Sequence, residues 1–317
     1  MSTVEERQAL AEEDLAKKLK LEKPLAIKTR ELLRNLSRDV ALTYGATGAV
    51  FDAGTYKDDF EGILLPSYRR AEKEFGTVLS RQVLPTKPGT ERLFLRSIFE
   101  VLAYNRSIAI EDKISEYQHK RDKRLRAFTD SEVPKRAGFI TETNQKEIDR
   151  AIARAVSEAS ESLVPVSRVA IGARAGQIFR DSSLYRGQLI ATTEIQNAAE
   201  GSKDIEANTM DEEIRPLADD SRVSELDRVK EWHTQGDEKV RPSHILADLE
   251  RKKFDESFLV QGERLMYPGD KSLGASLWNT INCRCSAIYF IDGRIERIRT
   301  ANQDIGIIPE GSLDIVN

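Results

Sequence analysis

The spacing of apolar residues over the first 160 positions constrains this chain most, because it steps by three and four. Leu32, Leu33, Leu36, Val40 and Tyr44 share one side of a helix drawn from Leu25 to Tyr44, and Gly45 stands where such a helix ends. Phe60, Ile63, Leu64, Tyr68, Ala71, Phe75, Val78 and Leu79 repeat the pattern, with Pro66 opening a second segment or kinking a continuous one. A third helix is predicted from about Glu91 to about Arg126, with a basic end. Asp130, Ser131, Pro134 and Gly138 supply loop chemistry between residues 127 and 140, so a boundary is expected near residue 130. Asn144 followed by Glu147 has the form of a capping box opening another helix, whose Ile148, Ile152, Ala155, Val156 and Ala159 face one side and which Pro165 ends. An alanine-rich helical stretch then runs from Ser167 to about Met210, with small side chains that allow close packing.

Beyond Val229 this periodicity fades. Both tryptophans and both cysteines appear, and Cys283 to Ile291, Asp292-Gly293 and Arg294 to Ile298 read as a β-hairpin with a type I′ turn. The expected fold class is therefore α+β: a long, mainly helical N-terminal region followed by a small C-terminal α/β domain with a hairpin. Three ranges are expected: 1–130 as a helical partner-binding region, 131–228 as a helical segment leading into the last part, and 229–317 as the small domain with an extended tail.

With 32% charged and 7% aromatic residues in 317, the chain suits long wetted helices better than a dense sandwich. The longest apolar run, Ala287 to Ile291, is five residues, far short of the roughly 20 that span a bilayer. No membrane partner is expected. The N-terminal residues are charged throughout and lack a secretory pattern, which predicts synthesis and use in cytoplasm, with Cys283 and Cys285 reduced. Net charge is −4, against wholesale wrapping of nucleic acid, but charge is segregated: residues 201 to 250 hold 7 basic and 14 acidic side chains.

The chemistry-bearing residues gather late: Trp232, Asp237, Arg241, His244, then Pro268, Gly269 and Asp270, then Asn282, Cys283, Arg284 and Cys285. Imidazole and thiolates are preferred zinc ligands, so His244, Cys283 and Cys285 would supply three, with His233 or Asp237 as a fourth. Two ligands one residue apart on a strand strain a tetrahedron. The favoured reading therefore has no metal: the cysteines pack as small reduced thiols while His244 bonds a carbonyl or Asp237. Asp237 and Arg241, four apart, suggest an ion pair pinning a loop. Trp232 and Trp278 are expected in the core of the small domain, and Pro268-Gly269-Asp270 fits a type II turn. Ser243 beside His244 invites a hydrolase reading, and a cysteine with His244 or His233 as base a thiol one, though no complete catalytic constellation appears. Lys120, Arg121, Lys123, Arg124 and Arg126 form the strongest basic run, a candidate for weak, sequence-independent contact with double-stranded DNA or else a solvated helix end.

In order and spacing, Trp232, Asp237, Arg241 and His244, then Pro268-Gly269-Asp270, then Asn282-Cys283-Arg284-Cys285 resemble the phage Mu F-like family of minor head proteins, also described as head morphogenesis proteins. Thr193-Glu194 matches that family's upstream helix, but Thr192 stands where an arginine is usual. The resemblance covers about residues 165 to 290. It implies a virion or procapsid component at the portal vertex, without enzymatic activity, meeting portal, capsid and scaffolding proteins in the host cytoplasm and assisting assembly and DNA packaging or ejection. Modules of the family are sometimes fused to toxin domains, which leaves an enzyme with a Cys/His/Asp site as the alternative. A zinc-stabilised nucleic-acid-binding module is a third reading.

Overall fold

The structure, a computed structural model, describes residues 4–77, 110–215 and 228–291. It is α+β, with long helices followed by a small region of antiparallel strands. Helix α1 spans Val4–Thr47, α2 Lys57–Phe75, α3 Ile110–Ser160 and α4 Arg168–Ile214. The remainder comprises β1 Arg228–His233, α5 Pro242–Leu246, β2 Arg251–Lys253, β3 Phe258–Val260, β4 Glu263–Leu265, α6 Leu277–Thr280 and β5 Ser286–Ile291.

Two expectations about the helices change. Helix α1 begins some twenty residues before Leu25, because its buried stripe recurs at Arg7, Ala11, Asp14, Lys18, Glu22, Leu25, Thr29, Leu33, Leu36 and Val40. That 4-3-4 step repeats every 11 residues, or about 3.67 per turn, close enough to the helical 3.6 to keep one face covered. Helix α3 runs straight through the loop expected at 127–140. Pro134 lies inside it, and Thr129, Val133, Arg136, Ala137, Ile140 and Asn144 continue one buried stripe. Asn144 therefore caps nothing: its Oδ1 accepts from Arg186, and Glu147 pairs with Arg150. Val78, Leu79, the start of the third predicted helix and Asp292 to Ile298 of the predicted hairpin lie outside the described residues.

The chain forms two compact units, one of Met1–Ala16, Ala71–Ala127 and Asn197–Asn317, the other of Lys17–Arg70 and Phe128–Gln196. Both draw on separated stretches of the chain. In the second unit α1 and α4 run antiparallel at close range. A Cβ on Gly172 would lie 2.6 Å from the Ala41 carbonyl oxygen, and one on Gly176 2.6 Å from that of Ser37. Glycine is what allows this approach. In the same unit Arg136 grips Glu194 with two nitrogens, at 2.8 and 2.9 Å, while the Tyr68 hydroxyl donates to the same carboxylate at 3.0 Å.

In the first unit the strands make a sheet of order β2-β1-β5, antiparallel throughout, with Trp232 opposite Ala287 and Glu231 opposite Arg251. Strand β5 thus pairs with β1, more than fifty residues upstream, rather than with the strand next to it in sequence. Strands β3 and β4 form a separate hairpin whose turn residues Gln261 and Gly262 both have positive φ, 52° and 80°, as a type I′ turn requires. The core between them holds Trp232, Ala247, Phe258, Val260, Leu265, Ala275, Cys283 and Cys285.

Candidate functional site

Strand β1 is covered on both faces. Trp232 turns into the strand core, meeting Phe258 edge-on at a 5.2 Å centroid separation, whereas Glu231 and His233 turn the other way. There Glu231 accepts from Arg7 at 2.7 Å and Arg251 at 2.6 Å, and lies 2.7 Å from His233 Nε2, while His233 Nδ1 lies 3.2 Å from Gln8. Burial pushes the Glu231 carboxyl up, but the hydrogen bonds from His233, Arg7 and Arg251 win and hold it at about 2. On the tryptophan side, Lys230 donates to the Met266 carbonyl at 2.8 Å and Tyr289 to Asp204 at 3.1 Å. Burial raises Asp204 to about 6 against the opposing charge of Lys230.

Among the described residues strand β5 is the edge of its sheet on the side away from β1, and α4 covers that edge at Ala287. Glu200 accepts from the Ala287 amide and Lys203 donates to the Ala287 carbonyl, both at 2.9 Å, with Lys203 also held by Asp14 at 2.9 Å and Glu200 at 2.7 Å. An edge capped in this way offers no free ladder to another strand at that position.

The residues singled out in the sequence converge here, with several roles exchanged. Trp232 is fully buried as expected, but Trp278 is 64% exposed, because α6 turns Asn279 and Thr280 inward instead. Asp237 pairs with Arg284 at 2.7 Å, not with Arg241. Arg241 instead donates to the Ile281 carbonyl and lies over the Trp278 ring at 5.7 Å, so the i,i+4 ion pair is absent and a cation–π contact replaces it. Pro268 and Gly269 form the expected turn: the Asp270 amide donates to the Tyr267 carbonyl at 3.0 Å and Gly269 has φ 92°. The buried Asp270 carboxylate then accepts from the Met266 amide at 2.9 Å and the Ser272 amide at 2.7 Å.

His244, Cys283 and Cys285 form one buried group. Short helix α5 points the imidazole inward, edge-on to Trp232 at 5.4 Å, and its Nδ1 lies 3.7 Å from Cys283 Sγ and 3.5 Å from Cys285 Sγ. Among the described residues neither a carbonyl nor Asp237 bonds the ring, contrary to expectation, and none partners Nε2. His233 and Asp237, the expected fourth ligands, are engaged with Glu231 and Arg284. The cysteines precede β5 rather than lying on it. Asn282, with φ 56°, turns the chain so that Cys283 and Cys285 enter the core while Arg284 between them reaches outward to Asp237. Hydrogen bonding from Cys285, then from His244, holds the Cys283 thiol well below its ordinary value despite burial. Ser243 lines a surface hollow of about 430 Å³ with Pro242, Leu246, Leu259 and Trp278, turned away from the imidazole, so the Ser–His pair of the hydrolase reading does not form.

The basic run is largely neutralised, and it is mid-helix rather than a helix end. Arg124 makes a two-pronged contact with Glu212 at 2.8 Å, Lys120 meets Glu212 and Glu213 at 2.9 Å, and buried Arg121 pairs with Asp122. These contacts, led by Arg124, hold Glu212 at about 2. Lys123 and Arg126 remain exposed. Among the described residues no helix is long and apolar enough to cross a membrane.

Comparison of the chain with protein-family models, curated proteins and solved structures finds no match in any of the three.

The residues that sequence reasoning missed include the buried ions Arg7, Asp14, Glu200, Lys203, Glu231 and, in the other unit, Arg136, the partner of Glu194. One signal for them exists: Arg7, Asp14, Lys18 and Glu22 occupy the same 11-residue stripe as Leu25, Leu33 and Leu36.

Proposed function

We propose that this chain is a phage head-assembly protein of the Mu F-like kind, a minor component at the portal vertex that helps procapsid assembly and DNA packaging or ejection. One observation carries the reading: the side chains that bear the resemblance come together in a single small module and act there as fasteners. Trp232, Cys283 and Cys285 fill its core, Asp237 and Arg284 close one loop, Arg241 holds Ile281, and Asp270 holds the segment from Met266 to Ser272. A motif whose members hold backbone together suits a module presented to neighbouring subunits. Exposed Leu246, Leu259 and Trp278 around one hollow add apolar surface of the sort that protein partners cover.

The nearest competing reading is a thiol enzyme, favoured by the closeness of Cys283 to His244. Burial argues against it. Cys283 is 1% and Cys285 3% exposed, which leaves a substrate no approach to either sulfur.

The test is assembly in cells co-expressing portal, scaffolding and major capsid proteins with and without this chain. The expected result is that the chain sediments with portal-containing procapsids at a fixed low ratio, and that omitting it lowers the yield of particles able to package DNA. A chain that stays free at the top of the gradient, with particle yield unchanged, overturns the proposal.

A further inference from the structure

We infer that His244, Cys283 and Cys285 are the protein ligands of one structural zinc ion, held by His244 Nδ1 and two thiolates with an oxygen donor in the fourth position. Zinc lies about 2.3 Å from thiolate sulfur and about 2.0–2.1 Å from imidazole nitrogen, so a tetrahedral angle places nitrogen and sulfur roughly 3.6 Å apart. The two nitrogen–sulfur separations here are 3.5 and 3.7 Å, and all three donor atoms fall within 4.8 Å of one another. Each separation is the edge length of a zinc tetrahedron.

Hydrogen bonding accounts for only part of the same arrangement. A ring nitrogen has one proton to donate or one lone pair to accept with, so Nδ1 can make a full hydrogen bond to only one of the two sulfurs it lies against. A cation at the centre satisfies the nitrogen and both sulfurs together. The donor set, two soft thiolates and an imidazole, selects zinc over magnesium or calcium. The fold also supplies the dry surroundings of a structural site: Trp232 packs edge-on to the imidazole, and Trp232, Phe258 and Val260 share the core with both sulfurs.

The objection that two ligands one residue apart strain a tetrahedron applies to a strand. Cys283 and Cys285 lie in the irregular segment between the turn at Asn282 and β5, where left-handed Asn282 and outward Arg284 let both thiols converge. Binding sends the two thiol protons to solvent, so affinity rises with pH until the thiols are ionised. Among the described residues no further His, Cys, Asp or Glu joins the group. The sequence contains no third cysteine, and its other histidines are His119, exposed on α3, and His233, held by Gln8 and Glu231. The fourth donor is therefore oxygen. This inference is independent of the assembly reading, since a zinc site would stabilise the module whatever it meets.

The test uses the full chain, purified without chelator. Elemental analysis after gel filtration is expected to find close to one zinc per chain. The metal-free chain titrated with cobalt(II) is expected to show intense visible bands of tetrahedral cobalt and a near-ultraviolet thiolate-to-cobalt band saturating at one equivalent. Cys285→Ser should weaken metal retention by at least about tenfold. His244→Cys should keep one metal and strengthen the thiolate band, a gain that a merely packed histidine would not give. The inference falls if the folded wild-type chain takes up no more zinc or cobalt than a Cys283→Ser/Cys285→Ser double variant, or if its bound cobalt shows no thiolate band.

Discussion

Glu231 shows how much one side chain carries in this molecule. It lies on β1, 1% exposed, with Arg7, His233 and Arg251 against its two oxygens, and those partners hold its carboxyl at about 2 instead of the ordinary 4.5. A carboxyl depressed by folding stabilises the native state fully above its unfolded value and loses that contribution as pH falls through its folded value. The window therefore runs from about 4.5 down to about 2, and at about 1.4 kcal/mol per pH unit it amounts to about 3 kcal/mol. Glu231→Gln should lower stability at pH 7 by roughly 3–5 kcal/mol, since it leaves Arg7 buried without its counter-charge. The variant should also lose this acid-sensitive component, so that wild-type and variant urea midpoints converge between pH 4.5 and 2. Parallel midpoint curves over that range would discard the assignment. At this scale the sequence was legible where residue type alone is rare: His244, Cys283 and Cys285 were grouped by their chemistry. Glu231 and Lys203 were not, because a carboxylate or an ammonium in a highly charged chain looks the same whether it faces water or a buried partner.

Among the elements, the helices tested how far apolar spacing can be read. Leu25 to Tyr44 was found because leucine and valine fill the buried stripe, whereas Val4 to Pro24 was missed because arginine, aspartate, lysine and glutamate occupy the same stripe. The loop expected at 127–140 failed for a related reason. Pro134 and Gly138 disfavour helix locally by about 3 and about 1 kcal/mol, but burial of Val133, Ala137 and Ile140 outweighs them. Glycines in these helices then separate into two kinds. A Cβ on Gly138 meets nothing within 4 Å, so Gly138→Ala should stabilise by about 1 kcal/mol through helix propensity alone. A Cβ on Gly176 would sit 2.6 Å from the Ser37 carbonyl oxygen and 2.8 Å from Ala41 Cβ, so Gly176→Ala should destabilise by roughly 1–3 kcal/mol despite the same gain in propensity. Thermal unfolding of the two variants should move in opposite directions, and a shared direction would refute the close packing of α1 on α4.

For the whole molecule, the decisive fact is that the first turns of α1 belong to the same compact unit as the strands near the other end of the chain. Arg7 reaches Glu231 at 2.7 Å, Gln8 lies 3.2 Å from His233, and Asp14 holds Lys203, which in turn holds β5 through the Ala287 carbonyl. No local pattern announces such a pairing, because partners such as Arg7 and Glu231 are separated by 224 positions and joined by charge rather than by hydrophobic period. A fragment ending at residue 130 would cut α3 in mid-helix, and one beginning near 140 would lack the α1 residues that close the strand region. The informative truncation is smaller. Deleting residues 1–16 removes Arg7, Gln8 and Asp14, leaving Glu231 and Lys203 each short of a buried partner at about 3–5 kcal/mol apiece. A typical domain has only about 5–15 kcal/mol of net stability, so the loss is enough to open the region from Arg228 to Ile291. The truncated chain should therefore lose the near-ultraviolet dichroism of buried Trp232 and become cleavable within that region, while residues 17–70 and 128–196, which carry the Arg136–Glu194–Tyr68 contacts of the other unit, stay protected. Retention of the tryptophan signal and of protease resistance after the deletion would mean that the strand region stands without α1.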